Sequence, residues 1–236
     1  MRKKLTLFLL VFPLTFLSAQ LAQVGMTGSG DILVTVNSQM LGKMTMNVPL
    51  DEIEFIGSPF INEEFENATI VYKNEEVGNM LFRYNAYNEE IELKESKYHE
   101  AKALRWHPDL HIVTNNVPLR LIDFSNKDKQ KLKGYLFELI EGKFSLYKRM
   151  NVKFSEPKKA TTSLDKDVPA RFTQFEAFYS RIDKNEVIEI SGSKKQFLVE
   201  LSPQLRKKTA EFIKARKLKL KREEDLVLIF NFLNAE

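Results

Sequence analysis

Apolar residues alternate with polar ones through most of this chain and recur at helical spacing only near its end. Ile32-Leu33-Val34-Thr35-Val36 is a β-branched run that predicts a first strand, and residues 40–46 alternate loosely enough to pair back with it. Gly57-Ser58-Pro59 is a strong break. Thr69-Ile70-Val71-Tyr72 predicts another strand, ended by the acidic turn Asn74-Glu75-Glu76. Residues 80–93 read as a hairpin turning at Ala86-Tyr87. In that register Phe82 faces Ile91 and Met80 faces Leu93, while Arg83 faces Glu90 on the other side. Pro108 and Pro118 interrupt the next stretch, leaving short strands at residues 111–114 and 119–122. A second hairpin spans residues 135–154 and turns at Glu141-Gly142. It sets Leu139 against Phe144 and Phe137 against Leu146, with Leu136 and Tyr147 on the opposite face.

Residues 156–170 hold two prolines, hydroxyl residues and lysines, which predicts a loop and a boundary. Phe172, Phe175 and Phe178 recur at a spacing that also suits helix; strand is the reading taken for residues 171–190, on either side of Asp183-Lys184-Asn185. The end is helical. Ser191 or Ser193 caps a short helix through Leu201, and Ser202 caps a second with Pro203 at its first position. Leu205, Phe212 and Ile213 form the apolar stripe of that second helix. Glu223, Glu224 and Asp225 open a third helix, whose stripe is Val227, Phe230 and Leu233, widened by Ile229 and Phe232. The pattern predicts an α+β fold: an antiparallel, Phe-rich sheet, rolled as a half-barrel or sandwich, then a small C-terminal helical unit. The expected layout is an antiparallel β domain at 20–160 and a mixed region at 161–236, ending in three short helices packed on the sheet.

The start of the chain changes the picture. Arg2, Lys3 and Lys4 precede an apolar run from Leu5 to Leu17, and Ser18-Ala19 offers a small-residue cleavage point. That is the layout of a secretory signal peptide at 1–19, too short to span a bilayer. An exported protein is expected, periplasmic or, alternatively, extracellular, with no transmembrane segment after cleavage. Removing residues 1–19 also removes three bases, leaving 33 Lys and Arg against 32 Asp and Glu, so net charge gives no argument for nucleic acid. The charge is unevenly placed, however. Residues 51–100 hold 13 acids against 4 bases, and residues 194–222 hold 11 bases against 2 acids. Two solvated faces, docked on each other or not, explain this; so does a basic end that meets an anionic surface or an envelope protein. The chain has no Cys, which excludes disulfides, a thiol nucleophile and Cys-ligated zinc.

One ordered series of residues stands out: Gly57-Ser58-Pro59-Phe60-Ile61-Asn62-Glu63-Glu64-Phe65, Arg83-Tyr84-Asn85-Ala86-Tyr87-Asn88, Glu141-Gly142-Lys143, and Phe212-Ile213-Lys214 through Asn231. It resembles the uncharacterised secreted proteins of this length that are common in bacteria of the Bacteroidota type. The resemblance implies an envelope compartment and a single architecture. It brings no activity and no functional residue.

Three residue groups carry candidate chemistry. His107, Asp109 and His111 would share one face of a strand and could ligate a divalent metal. Tyr84 and Tyr87, with Asn85 and Asn88, would sit at a hairpin tip, as in a sugar-stacking site. Lys214, Arg216, Lys217, Lys219, Lys221 and Arg222 form the strongest candidate, a partner-binding cluster. No catalytic residue, glycine-rich phosphate loop or cofactor signature is identified. The leading expectation is a non-catalytic envelope protein that binds another macromolecule. The alternatives are a carrier of a small apolar ligand in a curved sheet, and a metal-dependent hydrolase built on the histidines.

Overall fold

The computed structural model describes residues 33–35, 55–162 and 164–236. The predicted signal peptide and the segment 40–46 lie outside them. Among the described residues, twelve strands precede three helices. The strands are β1 (Leu33–Thr35), β2 (Phe55–Ile56), β3 (Glu66–Tyr72), β4 (Glu75–Asn85), β5 (Glu90–Lys94), β6 (Lys102–Leu104), β7 (Leu110–Thr114), β8 (Val117–Ser125), β9 (Lys131–Ile140), β10 (Phe144–Ser155), β11 (Ala170–Ile182) and β12 (Val187–Glu189). The helices are α1 (Lys194–Val199), α2 (Pro203–Arg216) and α3 (Glu223–Ala235). The fold is α+β, mostly sheet with its helices at the C-terminal end.

All twelve strands belong to one sheet. β1, β6, β5, β4, β3, β7 and β8 follow in order, all antiparallel. β8 then changes neighbours along one edge: Leu119 pairs with Ile112 of β7, whereas Phe124 pairs in parallel with Val187 of β12. Its other edge pairs with β9. Since β9 pairs with β10, β10 with β11 and β11 with β12, strands β8 to β12 close a circuit. Each contributes one buried side chain to a shared cluster: Phe124, Leu136, Tyr147, Tyr179 and Val187. Alternation sends the intervening residues to the other face. There Leu119, Leu121, Tyr135, Val152 and Phe172 pack with β3 to β7 in one core, and Phe144, Leu146 and Phe178 pack with the helices in another.

The helices form where the spacing of apolar residues places them, and α2 alone of the three receives a side-chain cap. Ser193 is the N-cap residue of α1, without a side-chain capping bond. Ser202 Oγ accepts from the Leu205 N–H at 3.5 Å, and Pro203 opens α2. Leu226, Ile229, Phe230 and Leu233 bury one stripe of α3 against the sheet. Two ties fix the end and the start of α3. Asn234 accepts from the Phe144 N–H at 2.9 Å and donates to the Phe144 carbonyl at 2.8 Å, as a neighbouring strand would. Its amide occupies the space beside Gly142, where an added Cβ would lie 2.7 Å from Asn234 Oδ1. At the other end, Lys148 of β10 reaches Glu223 at 2.6 Å.

Two expectations need correction, and the layout can be stated more closely. The first hairpin exists, but its register is displaced: Phe82 pairs with Leu93, Tyr84 with Ile91, and Arg83 with Glu92 rather than Glu90. The turn is longer than a two-residue one because Asn85 Oδ1 accepts from the N–H groups of both Tyr87 and Asn88. In the second hairpin Leu146 pairs with Ile140 and Tyr147 with Glu138, since a bulge falls between those pairs. The expected boundary at 160/161 falls inside the loop joining β10 and β11, which pair continuously from Phe144↔Ile182 to Ser155↔Arg171. The sheet therefore runs across it.

Candidate interaction surface

The basic cluster lies at the corner where α2 ends and α3 begins, and local sequence dictates its shape. Helix α2 stops because Lys217 adopts the left-handed conformation, φ 56° and ψ 35°. Its N–H and that of Leu218 then bond back to Lys214 O (3.3 Å) and Ile213 O (3.0 Å), the paired bonds of a Schellman ending. Glycine normally supplies that conformation; here a lysine does, against a steric cost. Beyond it, Lys217-Leu218-Lys219-Leu220-Lys221 alternates. The leucines join the core beneath the helices, Leu220 fully, while the lysines remain exposed. The Lys219 N–H donates to the buried Asp225 carboxylate at 2.9 Å, which ties the connection to the first turn of α3.

All six cations of the cluster are exposed. Arg222 lies 3.7 Å from Glu224 and 3.9 Å from Asp225, and Arg216 stacks over the Phe212 ring. Among the described residues, the side chains of Lys214, Lys217, Lys219 and Lys221 enter no ion pair, and no ion pair joins residues 55–100 to residues 194–222. The acidic and basic blocks are therefore not joined by ion pairs among the described residues.

The other two groups are arranged differently from expectation. Pro108 and Asp109 form a turn, closed by the Leu110 N–H on His107 O at 3.2 Å, so the extended alternation that would align the histidines is lost. His107 Nδ1 accepts from the Asp109 N–H, and Asp109 is exposed. His111 is buried and turns to Arg120, whose guanidinium lies 3.1 Å from Nδ1 and 2.6 Å from Glu138. Burial, then the Arg120 charge, hold the His111 pKa below its usual value. The three are not a ligand set, and no metal-binding group of His, Cys, Asp or Glu occurs among the described residues. Tyr84 is 2% exposed and donates to Glu89 at 2.6 Å, while Tyr87 packs its ring on Phe172 and Phe154. Neither forms an open stacking platform.

Sequence reasoning missed the group that Tyr84 serves. β9 and β10 separate beyond Phe137 and Lys148, and the β4–β5 turn fills the seam. Glu89, φ 56°, directs its carboxylate there. It accepts from the Tyr135 N–H of β9 at 3.2 Å and forms an ion pair with Arg149 of β10. A side chain at Gly134 would strike that carboxylate, its Cβ falling 2.9 Å from Oε2. Arg149 also lies over the Phe124 ring. Burial, with Glu89 next, raises the pKa of both Tyr84 and Tyr135, so these hydroxyls stay protonated. The arrangement closes a seam rather than presenting a reactive group. No family model, curated protein or solved structure matches the chain.

Proposed function

We propose that this is an exported, periplasmic, non-catalytic binding protein that meets an anionic partner through the corner between α2 and α3. Four solvated lysines without ion-pair partners among the described residues, at the end of α2 and on a connection anchored by Leu218 and Leu220, support this reading. A rigid presentation lowers the ordering cost of association, and unpaired cations attract an anionic surface over roughly a Debye length, ~8 Å at physiological salt. The Phe-rich sheet, read as a rolled half-barrel, acts as the platform. The circuit of β8 to β12 is filled by its own aromatic and aliphatic side chains, which gives the carrier alternative no support.

The test is binding to a soluble acidic polysaccharide at rising salt. Wild-type protein should bind with an affinity that falls as salt increases. The Lys214→Glu, Lys217→Glu, Lys219→Glu, Lys221→Glu variant should lose binding while keeping its melting temperature. Undiminished binding by that variant would refute the assignment of the surface.

A further inference from the structure

The corner carries more than charge. Phe212 of α2 stacks on Phe232 of α3 with ring centroids 4.3 Å apart and planes 10° from parallel. Arg216 covers the Phe212 ring, and Leu228, one helical turn before Phe232 on the same face of α3, is 40% exposed. Asp225, three residues before Leu228, holds the Lys219 N–H. Arg216, Phe212, Phe232 and Leu228 thus form a strip along the two helices, and the connection that follows α2 carries the exposed Lys217 and Lys219. Lys214 is not on the strip: two residues beyond Phe212, it projects roughly 200° away around the helix axis. Lys221 lies instead beside Gly192, where an added Cβ would meet its Cε at 2.8 Å.

An acidic polysaccharide or an acidic peptide requires only the cations. Exposed leucine and an aromatic pair flanked by cations fit a surface that is anionic outside and apolar just beneath. We infer that the strip seats on a lipid surface bearing anionic headgroups, with Leu228 and the edge of the Phe212–Phe232 stack entering the interface and Arg216, Lys217 and Lys219 meeting the headgroups. This rests on the reading that the corner meets an anionic partner and names that partner's class. Helix α3 remains docked on the sheet throughout, since its opposite stripe is committed to the core. The association is peripheral.

The experiment is co-sedimentation of the full chain with vesicles of phosphatidylcholine alone or with about 30% phosphatidylglycerol, the anionic component on which such attraction depends. Binding is expected only to the anionic vesicles. The Arg216→Gln, Lys217→Gln, Lys219→Gln variant should bind at least ~10-fold more weakly, as loss of three cations near a charged surface implies. Leu228→Ser should bind about 3-fold more weakly or worse through lost apolar burial. Lys127→Gln, Lys184→Gln, on loops of the sheet away from the corner, should match wild type. Thermal melts of each variant separate lost binding from lost folding. Binding to a soluble acidic polysaccharide but not to either vesicle would overturn the lipid assignment and leave the broader reading standing. Failure to bind either would remove both. Unchanged vesicle binding by Leu228→Ser, or equal losses in the two charge variants, would overturn the strip.

Discussion

Arg149 and Lys217 carry the same charge in opposite settings. Arg149 is largely withdrawn from water in the seam between β9 and β10, paired with Glu89 and laid over Phe124. Lys217 stands in solvent at a helix end, in a backbone conformation that disfavours its side chain, with no ion-pair partner among the described residues. A charge buried among aromatics is tolerated only when paired, so the seam's charges serve the fold. A solvated, unmatched cation adds almost nothing to the fold and stays available to something outside it. The contrast separates a structural cluster from the surface proposed for interaction.

The most severe way to probe the contrast is to remove Arg149. Arg149→Ala leaves Glu89 without its cation in a partly desolvated seam and should cost about 3–5 kcal/mol in denaturant unfolding. Asn234→Ala strips both backbone groups of Phe144 and should cost about 1–3 kcal/mol by the same measurement. At the corner the sign reverses. Lys217→Gly relieves the left-handed lysine and should stabilise the fold by about 1 kcal/mol while weakening attachment to the anionic partner. A glycine variant that is destabilised, or one that binds as well as wild type, would break the distinction between the two regions. The fourfold Lys→Glu variant should shift unfolding by no more than about 0.5 kcal/mol.

The mildest test is pH. Burial and Arg120 hold His111 below its usual 6.5, so the unfolded chain takes up that proton first. The contribution is whole above pH 6.5 and is lost as pH falls below it. His111→Gln should flatten that part of the stability profile; an unchanged acid slope would show that His111 is not the group responsible.

Much of the helical end was legible in the sequence because its signals are local. Ser202-Pro203 starts α2 and Glu223-Glu224-Asp225 starts α3, and each acts within one turn. Strand existence was legible for the same reason: alternation is a short-range pattern. Register was not. The Asn85 side chain lengthens one turn and a bulge shifts the other hairpin, and both depend on atoms that a polar/apolar pattern does not encode. Glu89 was beyond reach because its partners, Tyr135 and Arg149, are distant in sequence and meet only where two strands part. The histidines misled because Pro108 makes a turn where alternation was assumed. The basic run at the corner is visible from charge alone. The stacking of Phe212 on Phe232 is not, since it requires α2 and α3 to lie side by side.

Lysine acetylation footprinting of the full chain, with and without vesicles containing phosphatidylglycerol, tests the central claim most directly. Each exposed lysine reports its own accessibility by mass spectrometry. The account predicts that Lys217 and Lys219 become protected on the vesicles, while Lys127, Lys129 and Lys184, exposed on loops of the sheet, react as before. Protection centred on the sheet loops, with Lys217 and Lys219 still fully reactive, would contradict it.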